Sequence, residues 1–108
     1  MDGGNRPPSQ IFREAAEDWA DKEAAAQILE DSKSAIMAQW QAELGDMPVN
    51  KAEQTVKSSL RWMDLLEKIV AARKAANLAK INMEVRRMEF NEWSNREANQ
   101  RQELRMTS

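Results

Sequence analysis

Every glycine and proline in this chain falls in one of two places. Gly3, Gly4, Pro7 and Pro8 crowd the first eight residues, and Gly45 and Pro48 bracket a second short segment; residues 9–44 and 49–108 contain neither. Glycine weakens a helix through backbone entropy, and proline removes a donor and clashes with the preceding turn. The two long stretches free of both are therefore where helices can run without interruption. They are rich in Ala, Glu, Lys, Arg, Gln, Leu and Met, the residues that lose least on entering a helix. This distribution predicts an all-α protein, a long antiparallel helical hairpin with helices over about residues 9–44 and 60–105.

The punctuation suggests where the helices start and stop. Residues 1–8 are expected to form a disordered arm, with Ser9 as N-cap of the first helix. Gly45 suits the left-handed position just past a helix end, and Pro48 cannot continue one. Asn50 followed by Glu53 spells a capping box, which predicts a short connecting helix over about residues 50–57. Either Ser58 or Ser59 is placed to cap the next helix. The alternative is a single helix from Asn50 onward, since serine inside a helix costs little. Residues 9–108 then make one helical-hairpin domain, with 95–108 as a protruding helical end.

Phe12, Trp19, Ala26, Lys33 and Trp40 recur every seven residues, and Ala15, Lys22, Leu29 and Ile36 follow the first four by three. That is a heptad seam with two lysines in it, which either snorkel outward or select register. In the second long helix Met63, Leu66 and Val70 begin a seam, and Leu78, Ile81, Val85 and Met88 continue it. Between them the small-residue window "AARKAANLAK" leaves room for a bulky Trp19 or Trp40 from an antiparallel neighbour. Ala79, Met83, Phe90 and Trp93 form a second apolar track on another face. One partner helix cannot cover two faces, so the chain is expected to assemble as a coiled-coil-like homo-oligomer, a dimeric four-helix bundle or larger. Trp19, Leu29, Ile36, Trp40, Leu66, Leu78, Ile81, Val85 and Met88 are the expected core and assembly residues.

Charge is uneven. Net charge is -2 overall, but residues 1–50 carry ten acids and four bases while residues 51–108 carry eight acids and twelve bases. The halves attract, which favours side-by-side pairing of the helices. The chain has no His, Cys or Tyr, so the imidazole base, the thiol nucleophile and the imidazole and thiolate metal ligands are all missing. No phosphate-cradling glycine motif is present. Glu14, Glu17, Asp18 and Asp21 cluster within two turns, and early acids of this kind also complement the helix dipole, so they read as a solvated face rather than a cation site. Neither catalysis nor a cofactor is expected. No apolar run is long enough to span a bilayer, and "MDGGNRPPSQ" lacks the apolar core of a signal peptide, so a cytoplasmic protein with no membrane partner is expected.

The stretch "FNEWSNREANQRQELRM" places Trp93 among arginines, glutamates and amides. A first helix over 9–44 folded back on the second reaches only to about residue 94, so the remainder overhangs. Pairs Glu92 with Arg96 and Glu97 with Arg101, each worth about 0.3–0.5 kcal/mol, are expected to support it. Trp93 is expected at the rim, packed under Phe12 or offered to a partner. Phe90, Trp93, Arg96 and Arg101 are the candidate partner-binding residues, since Trp and Arg dominate interface hot spots. Single-stranded DNA is a second candidate partner, with Trp93 as a stacking platform. Against it, the carboxylates interspersed among the basic residues repel phosphate. A nucleotide-sequestering oligomer is a third reading, with no specific motif behind it.

Residues 51–106, through "KAEQTVKSSLRW", "ARKAANLAK" and "FNEWSNREA", resemble small helical proteins encoded by tailed bacteriophages among early or recombination genes. The resemblance implies a setting rather than an activity: a phage accessory acting inside the bacterial host on a host or phage protein, in replication, recombination or defence evasion.

Overall fold

The computed structural model describes residues 6–107. Most of the expected N-terminal arm, residues 1–5, lies outside that range. Among the described residues there are three helices and no strand: α1 Pro8–Ala42, α2 Val49–Lys57 and α3 Leu60–Thr107. The all-α hairpin expected from the breaker-free stretches is the observed fold, with a short helix in the connection.

The helix ends show which local signals prevailed. Ser9 does not cap α1. The carbonyl of Pro7 accepts from the N–H groups of Gln10 and Ile11, and Pro8 occupies the first helical position, where its missing N–H costs nothing. Two prolines with pre-set φ thus start the helix one residue before the serine. At the other end Gly45 takes φ 73°, as its position predicted. The preceding turn tightens, Leu44 N–H bonding to Gln41 O and Gly45 N–H to Ala42 O, so the regular helix stops at Ala42 rather than Leu44.

The capping box at Asn50 and Glu53 is not formed. Pro48 holds the cap position with φ -56° and ψ 141°, α2 begins at Val49, and Glu53 instead pairs with Lys57 one turn on, at 2.9 Å. The serines divide their work. Ser58 is the C-cap of α2, its Oγ donating to Gln54 O at 2.8 Å, whereas Ser59 Oγ accepts from the Trp62 N–H at 3.2 Å and so caps α3. The continuous helix from Asn50 is thereby excluded.

The chain divides into two compact units, Lys22–Ala76 and Met1–Asp21 with Asn77–Ser108. In the unit Lys22–Ala76, α1 runs antiparallel to α3 and α2 closes the base. Val56 of α2 joins Trp62 and Leu65 of α3 in a buried cluster against which Ile36, Met37, Trp40, Leu66 and Ile69 pack. Trp40 and Trp62 meet edge to face with centroids 6.2 Å apart, the arrangement that ring quadrupoles favour. Arg61 lies 4.0 Å above the Trp40 ring while pairing with Glu43 at 3.0 Å. Lys33, one of the two lysines in the heptad seam, stays exposed and reaches back over the Trp62 ring at 5.8 Å, so its stem covers apolar surface while its charge stays wet. Ala26 and Ala76 are fully buried. Trp40 therefore packs on Trp62 and not in the small-residue window.

In the other unit the start of α1 runs antiparallel to the second half of α3. Ala15, Ala79 and Met83 are buried, and Phe12 stacks on Phe90 at 5.9 Å. Trp19 is half-buried beneath Lys80, whose Nζ lies 5.8 Å from the ring centroid.

Candidate interaction surface

The interior of α3 in the Met1–Asp21 and Asn77–Ser108 unit is made by the track Ala79, Met83 and Phe90. The heavier seam, Leu78, Ile81, Val85 and Met88, points to solvent, at 56%, 59%, 37% and 55% exposure. At ~100° per residue the two rows occupy opposite sides of the helix. These four residues are thus not part of the core this chain makes for itself. The physical reason lies in the partner helix: α1 brings the large rings of Phe12 and Trp19 to this unit, so the facing positions of α3 include a buried alanine, Ala79. The remaining expected core residues lie on the α1–α3 side: Trp19, Leu29, Ile36, Trp40 and Leu66 are all partly buried.

The end of α3 carries the aromatic group picked out in the sequence. Phe12, Phe90 and Trp93 form a ladder, Trp93 stacked on Phe90 with centroids 6.2 Å apart and planes 25° from parallel. Trp93 stacks on Phe90 rather than on Phe12, and it keeps 41% of its surface exposed. Beyond it every described residue is exposed. The pairs Glu92 with Arg96 and Glu97 with Arg101 do not form; on a fully wetted helix the entropy of holding two long side chains together offsets their small attraction. Arg101 borders a shallow surface depression with Ala98, Gln102, Arg105 and Met106. Phe90, Trp93, Arg96 and Arg101 are therefore a linear display along one helix end and do not converge on an enclosed pocket.

Elsewhere several charges have structural partners. Arg73, half-buried, donates through Nε and Nη2 to both carboxylate oxygens of Glu30 at 2.8 Å and through Nη1 to Glu23 at 2.7 Å. These are contacts between the acidic first half of the chain and the basic second half. Arg86 pairs with Glu89 at 2.7 Å, and Glu14 with Arg6. Among the described residues no three carboxylates gather in a metal-binding group, and no helix is long and apolar enough to cross a membrane. A depression of about 120 Å³ beside Trp40, Thr55, Val56 and Ser59 lies at the base of the Lys22–Ala76 unit and holds no charged group apart from the paired Glu43 and Arg61.

Trp62, Leu65, Val56 and Met83 were not among the residues the heptad pattern selected for the core. Trp62, Leu65, Ala76, Ala79 and Met83 do recur at three- or four-residue multiples along α3, a track obscured because two of its members are alanines. No family model, curated protein sequence or solved structure matches this chain.

Proposed function

We propose that this chain is a non-enzymatic, self-associating helical accessory protein that works by presenting surfaces to another macromolecule. The exposed row Leu78, Ile81, Val85 and Met88 carries the reading: four large apolar side chains lie in line on a face of α3 opposite the packed one. Full burial of one such side chain is worth about 1.5–3 kcal/mol, so a contiguous row in water favours association. Phe90, Trp93 and Arg101 lie on other faces of α3 than that row, and with Arg96 at its edge they meet a protein partner in the manner of hot-spot residues. The resemblance to helical proteins of tailed phages supplies the setting, an adaptor or inhibitor of a host or phage complex inside the bacterial cell, with defence evasion one such role.

A nucleic-acid reading draws on a separate observation: exposed Trp93 is followed about one and two turns along α3 by Arg96 and Arg101, neither of which is held in an ion pair. That is the composition of a base-stacking platform. Glu92, Glu97 and Glu103 on the same helix end oppose it.

Light scattering across the micromolar range tests the main reading. A mass above the single-chain 12.4 kDa is expected, falling to that value in the Ile81→Glu, Val85→Glu variant with helicity retained. A wild-type particle of 12.4 kDa that unfolds cooperatively overturns it. Binding of single-stranded DNA that disappears between about 50 and 200 mM salt would move the function to nucleic acid.

A further inference from the structure

We infer that a second copy of this chain docks antiparallel along the exposed row of α3, the symmetry axis passing between Ile81 and Val85. Lys74 then lies against Glu92 of the partner subunit at each end of the seam. The inference rests on the self-association proposed above and adds its direction, register and charged contacts.

Positions 74, 78, 81, 85, 88 and 92 of α3 are spaced by four, three, four, three and four residues, a pattern that reads the same from either end. In an antiparallel pair centred between Ile81 and Val85, Leu78 meets Met88 of the partner subunit, Ile81 meets Val85 of the partner subunit, and the relations repeat by symmetry. The flanking seats are Lys74, four residues before Leu78, and Glu92, four after Met88. Both are exposed, and neither is in an ion pair within the chain. Antiparallel docking therefore sets opposite charges on either side of this four-residue row, and Val70, exposed four residues before Lys74, then faces Arg96 of the partner subunit.

The competing arrangements are worse on the same residues. A parallel pair sets each seat against its own counterpart, Lys74 against lysine and Glu92 against glutamate, which is repulsive at both ends. Sliding one antiparallel copy by a heptad places Ile81 against a glutamate in one direction and Val85 against a lysine in the other, burying a charge without a partner. The residues that pack α3 on its own α1 in this unit, Ala79, Met83 and Phe90, lie on the far side and are not disturbed.

The test uses charge exchange on the full chain. Lys74→Glu alone and Glu92→Lys alone each create two like-charge contacts and are expected to weaken the dimer on the order of tenfold, as read by sedimentation equilibrium. The double variant Lys74→Glu, Glu92→Lys restores the pairs and is expected to return the affinity. Because the chain has no cysteine, oxidising a mixture of Lys74→Cys and Glu92→Cys chains is expected to give the mixed crosslink. A dimer in which the exchanges change nothing, or in which crosslinks form only between like positions, overturns the antiparallel register while leaving self-association standing. A wild-type chain that stays single at all concentrations overturns both.

Discussion

Arg73 of α3 forks onto Glu30 of α1, its Nε and Nη2 each donating at 2.8 Å to a separate carboxylate oxygen. Its third donor group reaches Glu23, one heptad earlier on α1, at 2.7 Å. The guanidinium thus spans two turns of the facing helix and ties the register of the hairpin in the Lys22–Ala76 unit. A lysine cannot reproduce the planar fork.

The pair makes stability depend on acid. The hydrogen bond from Arg73, aided by its charge, holds the Glu30 carboxyl below the ordinary glutamate range, and the same contacts push the Arg73 guanidinium further upward. A carboxylate depressed in the folded state contributes stability that is fully present above its unfolded pKa and lost as pH falls through the folded value. The melting temperature is therefore expected to drop below the ordinary glutamate pKa, and thermal melts from pH 7 to pH 3 should show a shallower acid limb in Arg73→Ala. Arg73→Lys should fall between the two, and added salt should narrow the difference because the pair is still partly exposed. An unchanged acid limb in Arg73→Ala would remove Glu30 as its source.

Substitution at the two helix starts of the connection should give unequal results. Ser59 Oγ accepts from the Trp62 N–H, so Ser59→Ala removes a working cap and is expected to cost about 1 kcal/mol in urea unfolding. Asn50 lies inside α2, whose N-cap is Pro48, with no side-chain cap hydrogen bond, so Asn50→Ala is expected to stay within about 0.5 kcal/mol of wild type. Equal losses at the two sites would contradict this assignment of the caps.

That contrast also shows how far the sequence could be read. Gly45 and the gap between the breaker-free stretches were decisive because few residues tolerate a left-handed φ and none but proline lacks an N–H. The Asn50 and Glu53 pattern misled because a capping box needs an N-cap residue outside the helix, and Pro48 moved the start two residues upstream of where that pattern requires. Which apolar row of α3 would face α1 could not be read from that helix alone. Hydrophobicity favoured Leu78, Ile81, Val85 and Met88, but the fit of the aromatic rings on α1 selected the row containing Ala79. The end display of Phe90 and Trp93 was legible because aromatics amid polar residues have few other places to pack.

At the base of the hairpin, Trp62 is 5% exposed and carries the edge contact to Trp40 together with the Lys33 cation above it. Trp62→Ala is expected to cost about 3–5 kcal/mol, much of the stability of a domain this size. Ala26 in the same unit has no exposed surface, and Ala26→Leu forces volume into a packed site at about 1–3 kcal/mol. Denaturant midpoints for both variants check these values. A neutral Ala26→Leu would mean that α1 and α3 are not in close contact there.

Met83 and Ile81 stand two residues apart on α3, yet one is 9% exposed and the other 59%. Truncating Met83 to alanine leaves a void against α1 and is expected to cost about 2–3 kcal/mol at any protein concentration. Ile81→Ser removes an equally apolar side chain from the solvent-facing row. At concentrations where the chain is single, it should shift unfolding by no more than about 0.5 kcal/mol. At higher concentrations, where the proposed association would add to the folded state by mass action, the same variant should fall behind wild type by a margin that grows with concentration. The two substitutions thus separate burial within a chain from burial between chains. If Ile81→Ser were as costly as Met83→Ala in dilute solution, α3 would have to be rotated so that Ile81 faces α1.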